Sequence, residues 1–479
     1  MPWRTRAVTS LAAGAAAAAL LVGSNVYAVS VGHVPPDTAT STPASVWVAP
    51  NGSDNAPGTR EAPLRTPQVA LDRLDPQGGT VTLRGGTYPR QRIIIDGQRD
   101  VTIRAAAGEE PVLDHAGAPA PAGTTGVVEV RGGRDVAIEG LTVTRYRTPS
   151  IASTPVGIYA TGSTRGLRIE GNHVHHLGND NPTRGSFEVN AHGIAVYGRS
   201  ATAATTGVVI RENEVDHLVL GASEAVVVNG NVDGFEVSDN DIHDVNNIAI
   251  DAIGFEETIG GAARWTDVNR ARNGRITGNV VRGVRSQGNP AYWEDGEWCN
   301  CAGGIYADGA KDTVIADNSI DRADIGIEIA SEWARGRTNG ITVSGNTVTR
   351  SRYVGLAIGG YDRSRGEAFG ITVTTNTFRG NNTLRDGSPE ILLQYYVHDS
   401  RIVDNEVTTT SADYPIVLSR VRPAGPAARN ARLVLDENDY GGPAPAHEAV
   451  FGWNGVERAG FVRYQRTTGQ DASSTWTPR

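Results

Sequence analysis

Apolar and polar positions alternate in short bursts along most of this chain, and the bursts recur in one form. Each unit reads Gly-Φ-x-Φ-x-Gly, then a turn, then Φ-x-Φ-x-x-Asn-x-Φ, where Φ is an aliphatic residue. GIYATG…LRIEGNHV, GIAVYG…VVIRENEV, GIYADG…TVIADNSI and GLAIGG…ITVTTNTF are clear examples. Alternation with period two marks a strand with one face buried. The Asn of successive units falls at 172, 213, 240, 279, 318, 346, 376, 405 and 438, a spacing of about 27–41 residues that suits a solenoid. No stretch between them has the periodicity of a long helix. The pattern predicts a coil of short parallel strands, with Val, Ile, Leu and Ala stacked inside as one continuous core. Asparagine tolerates the left-handed backbone that a tight bend requires, and stacked Asn side chains can hydrogen-bond along the axis.

Ahead of the repeats, Val46–Val48 reads as a strand, Asn51–Gly58 as a turn-rich loop and Pro67–Leu74 as a short amphipathic helix. Gly78–Tyr88 reads as two strand fragments around a Gly-Gly corner. A solenoid leaves an open sheet edge at each end, which must be covered. The helix covers the first. The tail FGWNGVERAGFVRYQRTTGQDASSTW is expected to fold back over the second as a short helix and strand.

The opening VAPNGSDNAPGT…LRGGTY, the repeated GN bends and the closing FVRYQRTTGQDASS resemble secreted right-handed parallel β-helix proteins. That superfamily includes pectate lyases, polygalacturonase-type glycosidases and other carbohydrate-active proteins. The resemblance covers essentially the whole chain after residue 45. The expected fold is therefore all-β, a single right-handed parallel β-helix of about 10–11 coils over residues 46–445, with a C-terminal cap over 446–479. The motifs specify the fold strongly and the substrate weakly, since one fold hosts several chemistries.

Composition narrows the partners. The net charge is −9 and Lys311 is the sole lysine, which argues against nucleic acid or an anionic membrane. Arg4 and Arg6 precede the apolar run Leu11–Gly23, and Val26-Tyr27-Ala28 fits a small-x-small cleavage site. Residues 1–28 thus read as a signal peptide and 29–45, rich in Pro, Ser and Thr, as a flexible leader. No second apolar run is long enough to span a bilayer, so an exported, soluble protein is expected. Cys299 and Cys301 are compatible with a small disulfide ring, and a lone C-x-C lacks the partners of a zinc site.

The candidate chemistry lies in residues 249–333. AIDAIG, GIYADG and GIEIAS put Ile250, Ile305 and Ile327 at equivalent inward positions. The outward positions then carry Asp251, Tyr306, Asp308 and Glu328, with Glu332 just past the third strand. If the strands lie side by side, these groups form an exposed polar patch whose like charges repel, which suggests a function. With strands about 4.8 Å apart and alternate residues about 6.6 Å apart, Asp308 and Glu328 fall roughly 8 Å from each other. Asp251 and Asp308 come out the same. Such separations suit the acid and base of inverting glycoside hydrolysis, and Glu332 reaches the closer retaining distance if its turn folds inward. Tyr306, between Asp251 and Glu328, is in reach of either carboxyl or of a sugar.

The resemblance implies an extended sugar chain bound across one parallel sheet and its flanking loops. Two long loops carry Trp265, Tyr292, Trp293 and Trp298 as stacking platforms. Asn229 and Gln394 are outward on their strands, Glu390 opens EILLQY, and GGYDRSRG places Tyr361 and Arg363 beyond another strand. His192 is expected at the solvated rim. His173, His175 and His176 fall past a GN bend on another face and read as structural. The expected partner is a polysaccharide or oligosaccharide, with no nucleic acid and no membrane after signal removal, the chain being a monomer or an oligomer of unspecified order. A glycoside hydrolase needing no cofactor or metal is the leading expectation. The alternatives are a polysaccharide lyase, with Ca²⁺ on the acidic cluster and Arg363 or Arg365 as base, a non-catalytic glycan-binding β-helix, and an epimerase or transglycosidase.

Overall fold

Each unit of the repeat makes one turn of a coil with three strands. The unit at the centre runs Gly303–Asp308, Lys311–Ala316 and Ser319–Asp321. The next runs Ile325–Ala330, Arg337–Ser344 and Thr347–Thr349. Strands of one coil pair in parallel with those of the next, which makes the molecule a right-handed parallel β-helix. The computed structural model describes residues 44–419 and 431–479. The expected signal peptide and nearly all of the leader lie outside the described residues.

Two faces of the coil belong to one 25-stranded sheet, because the long strands Gly123–Glu139 and Ser153–Glu170 run through the corner between them. The third face is a separate sheet of 13 strands. That count exceeds the expected coil number for a specific reason. Gly86–Pro89, Pro111–Asp114 and Thr142–Thr144 build coils without the marker Asn, and the tail contributes Thr475–Pro478. Among the described residues the only antiparallel strand pairs, apart from isolated single bridges, are Trp293–Glu294 with Glu297–Trp298 and Val450–Trp453 with Val456–Ala459.

Ile250, Ile305 and Ile327 are wholly buried and pair in register, as the alternation requires. Each contributes about 1.5–3 kcal/mol by burial. The nine marker asparagines form an unbroken buried ladder. Each donates its Nδ2 to the Oδ1 of the next, from Asn172 to Asn438, at 2.8–3.0 Å. The bend geometry differs from expectation. The left-handed residue is the one before each Asn, for example Glu212 (φ 56°), Asp239 (φ 55°) and Gly278 (φ 69°). Its turn frees the Asn amide to point along the axis.

The first glycine of the unit has a steric role. A Cβ on Gly304 would lie 2.6 Å from the carbonyl oxygen of Gly326 in the next coil. At the equivalent Gly193 the strand bulges, since the N–H groups of Gly193 and Ile194 both donate to the Ala225 oxygen. The bulge breaks the alternation. Ile325 packs in an outer cluster although Ile327, two residues on, lies in the core.

Both ends are capped. The helix Pro67–Asp72, shorter than expected, buries Pro67, Ala70 and Leu71. At the other end come the helix Phe461–Thr468 and the strand Thr475–Pro478, which pairs with Asp439–Gly442. Asp471 closes the Asn ladder by accepting from Asn438 Nδ2 (3.2 Å), Tyr440 OH (3.0 Å), Tyr464 OH (2.8 Å) and Ser474 Oγ (2.7 Å). Cys299 and Cys301 are joined by a disulfide. No helix among the described residues is long and apolar enough to cross a membrane.

Candidate functional site

The outward column of the first face reads Val227, Asp251, Tyr306, Glu328, Ala357 on five successive coils, all paired in register. Asp308 stands two residues beyond Tyr306 and pairs with Ala330. The stacking therefore brings Asp251, Tyr306, Asp308 and Glu328 together from three repeats. They are not an exposed patch, however. Asp251 is 2% exposed, Tyr306 3%, Asp308 4% and Glu328 7%. Loops of the same coils rise around the face, and it becomes the floor of a recess. Only Glu332, at its edge, is exposed.

Two further carboxyls join this set. Glu224 is buried and raises the pKa of Asp251 through its charge, after burial itself. Glu256 hangs over the floor from the loop after Ile253, where its Oε2 accepts from Asn229 Nδ2 at 2.6 Å. Thr258 Oγ1 donates to the Oδ1 of the same asparagine at 2.7 Å. Asn229 is thus an anchor for the loop and presents no free group to a ligand. Glu332 N donates to Asp308 Oδ1 at 2.8 Å, which ties the third loop to the floor.

Burial and mutual repulsion push these acids up together. Asp251 and Asp308 both lie well above the usual carboxylate range, by burial first and neighbouring carboxylates second. Burial and then the charge of Glu332 raise Glu328 to about 8. Glu332 is also raised by burial, but the Arg365 guanidinium pulls it back. The Tyr306 phenol is raised too, by burial and then by Asp308 and Glu328. Asp251 Oδ1 and Tyr306 OH are buried without any hydrogen-bond partner. Leaving such a group unmet costs about 1–3 kcal/mol, so both atoms are open to a hydrogen-bonding partner from outside the protein.

The rim carries the cations. Arg264 lies over Trp265 (4.7 Å) and Trp333 (4.2 Å), and Arg365 lies over Tyr361 (4.3 Å). Arg335 also lies over Trp265, at 4.6 Å, so that indole is already engaged by cations of the protein. Tyr361 stands near Glu332 and Glu328, whose charges add to burial in raising its phenol. Tyr292 accepts from Asn247 Nδ2 at 3.2 Å and roofs the recess near Glu224 and Asp251. Trp293 and Trp298 pack edge to face across their hairpin, with Arg184 over Trp293 at 4.6 Å.

Several expectations are corrected. His192 is not a solvated rim residue. It is buried, bonded to the Glu224 carbonyl (3.1 Å) and to Tyr197 OH (3.2 Å), and burial lowers its pKa to about 4. Glu390 is not presented to a ligand, because its carboxyl accepts from Asn381 N (2.9 Å) and Nδ2 (2.6 Å) at a buried corner. Arg363 is exposed and its guanidinium lies over Tyr395, at 5.9 Å. Gln394 is buried beyond the strand Ile391–Leu393, four coils from Asp251. Glu224 was not foreseen, because it precedes the strand Val226–Gly230 and lies outside the alternating pattern, whereas His192 is visible in the pattern but reads as solvated.

No family model matches the sequence. The chain is 34% identical over 434 residues to the uncharacterized protein YwoF of Bacillus subtilis (strain 168), covering 90% of this chain and 87% of that one. This chain belongs to the YwoF family. A shorter stretch of this chain, 76 residues or 15% of its length, is 41% identical to pectate lyase PEL9 of Emericella nidulans, covering 18% of that protein. Among solved structures it resembles the A-module of Azotobacter vinelandii mannuronan C-5 epimerase AlgE6, with TM-score 0.50 and 16% identity over 86% of this chain and 93% of that one. The GH136 lacto-N-biosidase of Eubacterium ramulus gives TM-score 0.54 and 14% identity over 83% and 67%. At such identities the likeness is one of fold. These structural neighbours are carbohydrate-active parallel β-helix proteins.

Proposed function

We propose that the protein is an exported glycoside hydrolase acting on an uncharged polysaccharide or oligosaccharide, with Glu328 as general acid and Glu332 as general base. The observation that carries this reading is the division between two carboxyls of one recess. Burial raises both carboxyls, Glu328 to about 8, but Glu332 stands at the exposed edge, where the Arg365 guanidinium offsets its rise and favours the ionised form. A pair whose environments pull its pKa values apart is what acid–base hydrolysis needs. Glu328 gives its proton to the leaving glycosidic oxygen as the bond to the anomeric carbon breaks. Water attacks that carbon and loses a proton to Glu332. Asp251 Oδ1 and Tyr306 OH, both unpartnered, supply an acceptor and a donor for sugar hydroxyls, and Asp308 lies beside them.

The acidic floor disfavours a uronate substrate, which would meet like charge. Lys311, the sole lysine, sits on the second face with its ammonium 2.9 Å from Asp267. It is not available as the base of an elimination. The lacto-N-biosidase likeness supports the choice of hydrolysis as a fold-level analogy. The N-terminal segment with Arg4, Arg6 and the apolar run supports export.

The test is a panel of neutral and uronate glycans, read for new reducing ends and for the absorbance of unsaturated uronate. The expected result is reducing ends from a neutral glycan, without that absorbance, and turnover lower by about 100-fold or more in Glu328→Gln and Glu332→Gln. Unsaturated product from a uronate polymer would refute the reading.

A further inference from the structure

A second polar surface lies on the 13-stranded sheet, away from the acidic recess. Three successive coils read His173-Val174-His175-His176, Glu214-Val215-Asp216-His217 and Asp241-Ile242-His243-Asp244. Their strands pair in register, His173 with Glu214 and Asp241, and His175 with Asp216 and His243. Val174, Val215 and Ile242 point into the core. The last residue of each set turns the corner in the left-handed conformation, at φ 54° for His176, 51° for His217 and 52° for Asp244. Every outward position of three coils is thus an imidazole or a carboxylate. Five of the ten histidines in the chain are here. The flanking coils carry Thr142 and Thr144 on one side and Val280 and Arg282 on the other, so the pattern has sharp limits.

We infer that this surface binds a divalent transition metal of the zinc class, held by His173, His175 and Asp216 across two adjacent coils. One ligand atom from each of these three lies within 4.8 Å of the other two. The donor set of two imidazoles and a carboxylate suits zinc, and it does not suit calcium or magnesium, which take oxygen ligands. His173 Nε2 stands 2.6 Å from Asp216 Oδ2. Zinc bonds of about 2.0–2.1 Å in a tetrahedron put ligand atoms about 3.3 Å apart, so the pair opens by well under an ångström to admit the ion. The rings of His173 and His175 are already stacked at 4.2 Å, facing the same carboxylate. Asp216 is buried while both histidines are half-buried, which leaves a path from solvent to the remaining coordination position. His217 Nδ1 also contacts Asp216, at Oδ1 rather than the Oδ2 that faces His173, and so orients the carboxylate as a second partner does in metal sites. The sequence pattern hid this site because a GN bend followed by polar residues is also what a plain solenoid surface looks like.

The experiment is calorimetric titration of tag-free, chelator-washed full-length protein with ZnCl2, and separately with MgCl2 and CaCl2. The expected result is saturable binding of zinc at this site, a melting temperature that climbs with zinc concentration, and no binding of magnesium or calcium here. His175→Ala and His173→Gln should each weaken zinc binding at least about tenfold, and Asp216→Asn likewise, while His398→Ala leaves it unchanged. Cobalt in place of zinc should give the intense visible bands of a tetrahedral site, lost in the same variants. Absence of saturable zinc binding, or parental affinity in both His175→Ala and His173→Gln, overturns the inference. Because the two histidines are half-exposed surface residues, their variants test it even if Asp216→Asn fails to fold. None of these readouts depends on glycan cleavage.

Discussion

Replacing Glu328 by Gln tests both the energetics of the recess and its chemistry, and the two effects have opposite signs. In the unfolded chain this carboxyl ionises near 4.5, and in the folded protein near 8. A carboxyl raised on folding costs nothing below the lower value, and its penalty grows as pH climbs between the two. Each pH decade within that window costs about 1.4 kcal/mol, so the penalty reaches about 3 kcal/mol at pH 7 and about 5 kcal/mol above pH 8. Gln is isosteric with the protonated acid and cannot ionise. The Glu328→Gln protein should therefore match the parent at pH 4 and exceed it by up to about 3 kcal/mol at pH 7. Turnover should fall at least about 100-fold, since a general acid contributes about 10²–10⁴. In the parent, turnover should decline as pH rises through about 8, where Glu328 loses its proton. Denaturant midpoints followed by circular dichroism from pH 4 to 8, and turnover on the glycan found in the panel, measure both. A variant less stable than the parent at pH 7, or one that keeps full activity, would show that Glu328 is not a strained acid.

The ladder gives a second prediction: Asn279→Ala removes acceptance from Asn240 Nδ2 (2.9 Å) and donation to Val237 O and Asn318 Oδ1 (both 2.9 Å), and should cost about 2–4 kcal/mol by denaturation. A loss under about 1 kcal/mol would mean the coils hold without it. Treatment with a calcium-specific chelator should leave turnover nearly unchanged, and activity restored by Ca²⁺ alone would turn the argument towards elimination. Asn229→Ala frees Glu256 and its loop and should raise KM more than it lowers kcat; an equal fall in both would make Glu256 part of the chemistry. Cys299→Ser with Cys301→Ser opens a very short ring and should cost less than about 2 kcal/mol in melting experiments.

The strands and the column of Asp251, Tyr306 and Glu328 were legible because period two and the coil spacing are one-dimensional facts. Equivalence of Ile250, Ile305 and Ile327 sufficed to align their neighbours. Burial of that column was not legible, because it depends on loops whose path the alternation does not encode. Phe255–Trp265, the turn at Glu332 and the segment around Tyr361 close over the face through single contacts such as Glu332 N to Asp308. Glu224 was not legible because it precedes its strand, and the burial of His192 was not legible beside the bulge at Gly193 and Ile194. The coil number fell short because the first coils lack the Asn that marked the others. Asn was also credited with the left-handed bend, which the preceding residue takes instead.

A face with six carboxyls is expensive, and the solenoid explains how the chain tolerates it. Each coil touches only its two neighbours, so stability accumulates along the axis from the stacked core and the Asn ladder. Neither lies on the outward columns. Three adjacent coils can therefore carry an acidic floor on one face, and the three coils ending at Asp244 can carry imidazoles on another, without either set entering the core packing. The strain stays local. It appears as raised carboxyls and as two polar atoms, Asp251 Oδ1 and Tyr306 OH, that nothing within the protein satisfies. Were the acids merely solvated decoration, they would stand in water and titrate normally. Their burial without a compensating cation on the floor is the physical argument behind the proposal of a ligand that brings hydroxyl groups and no negative charge.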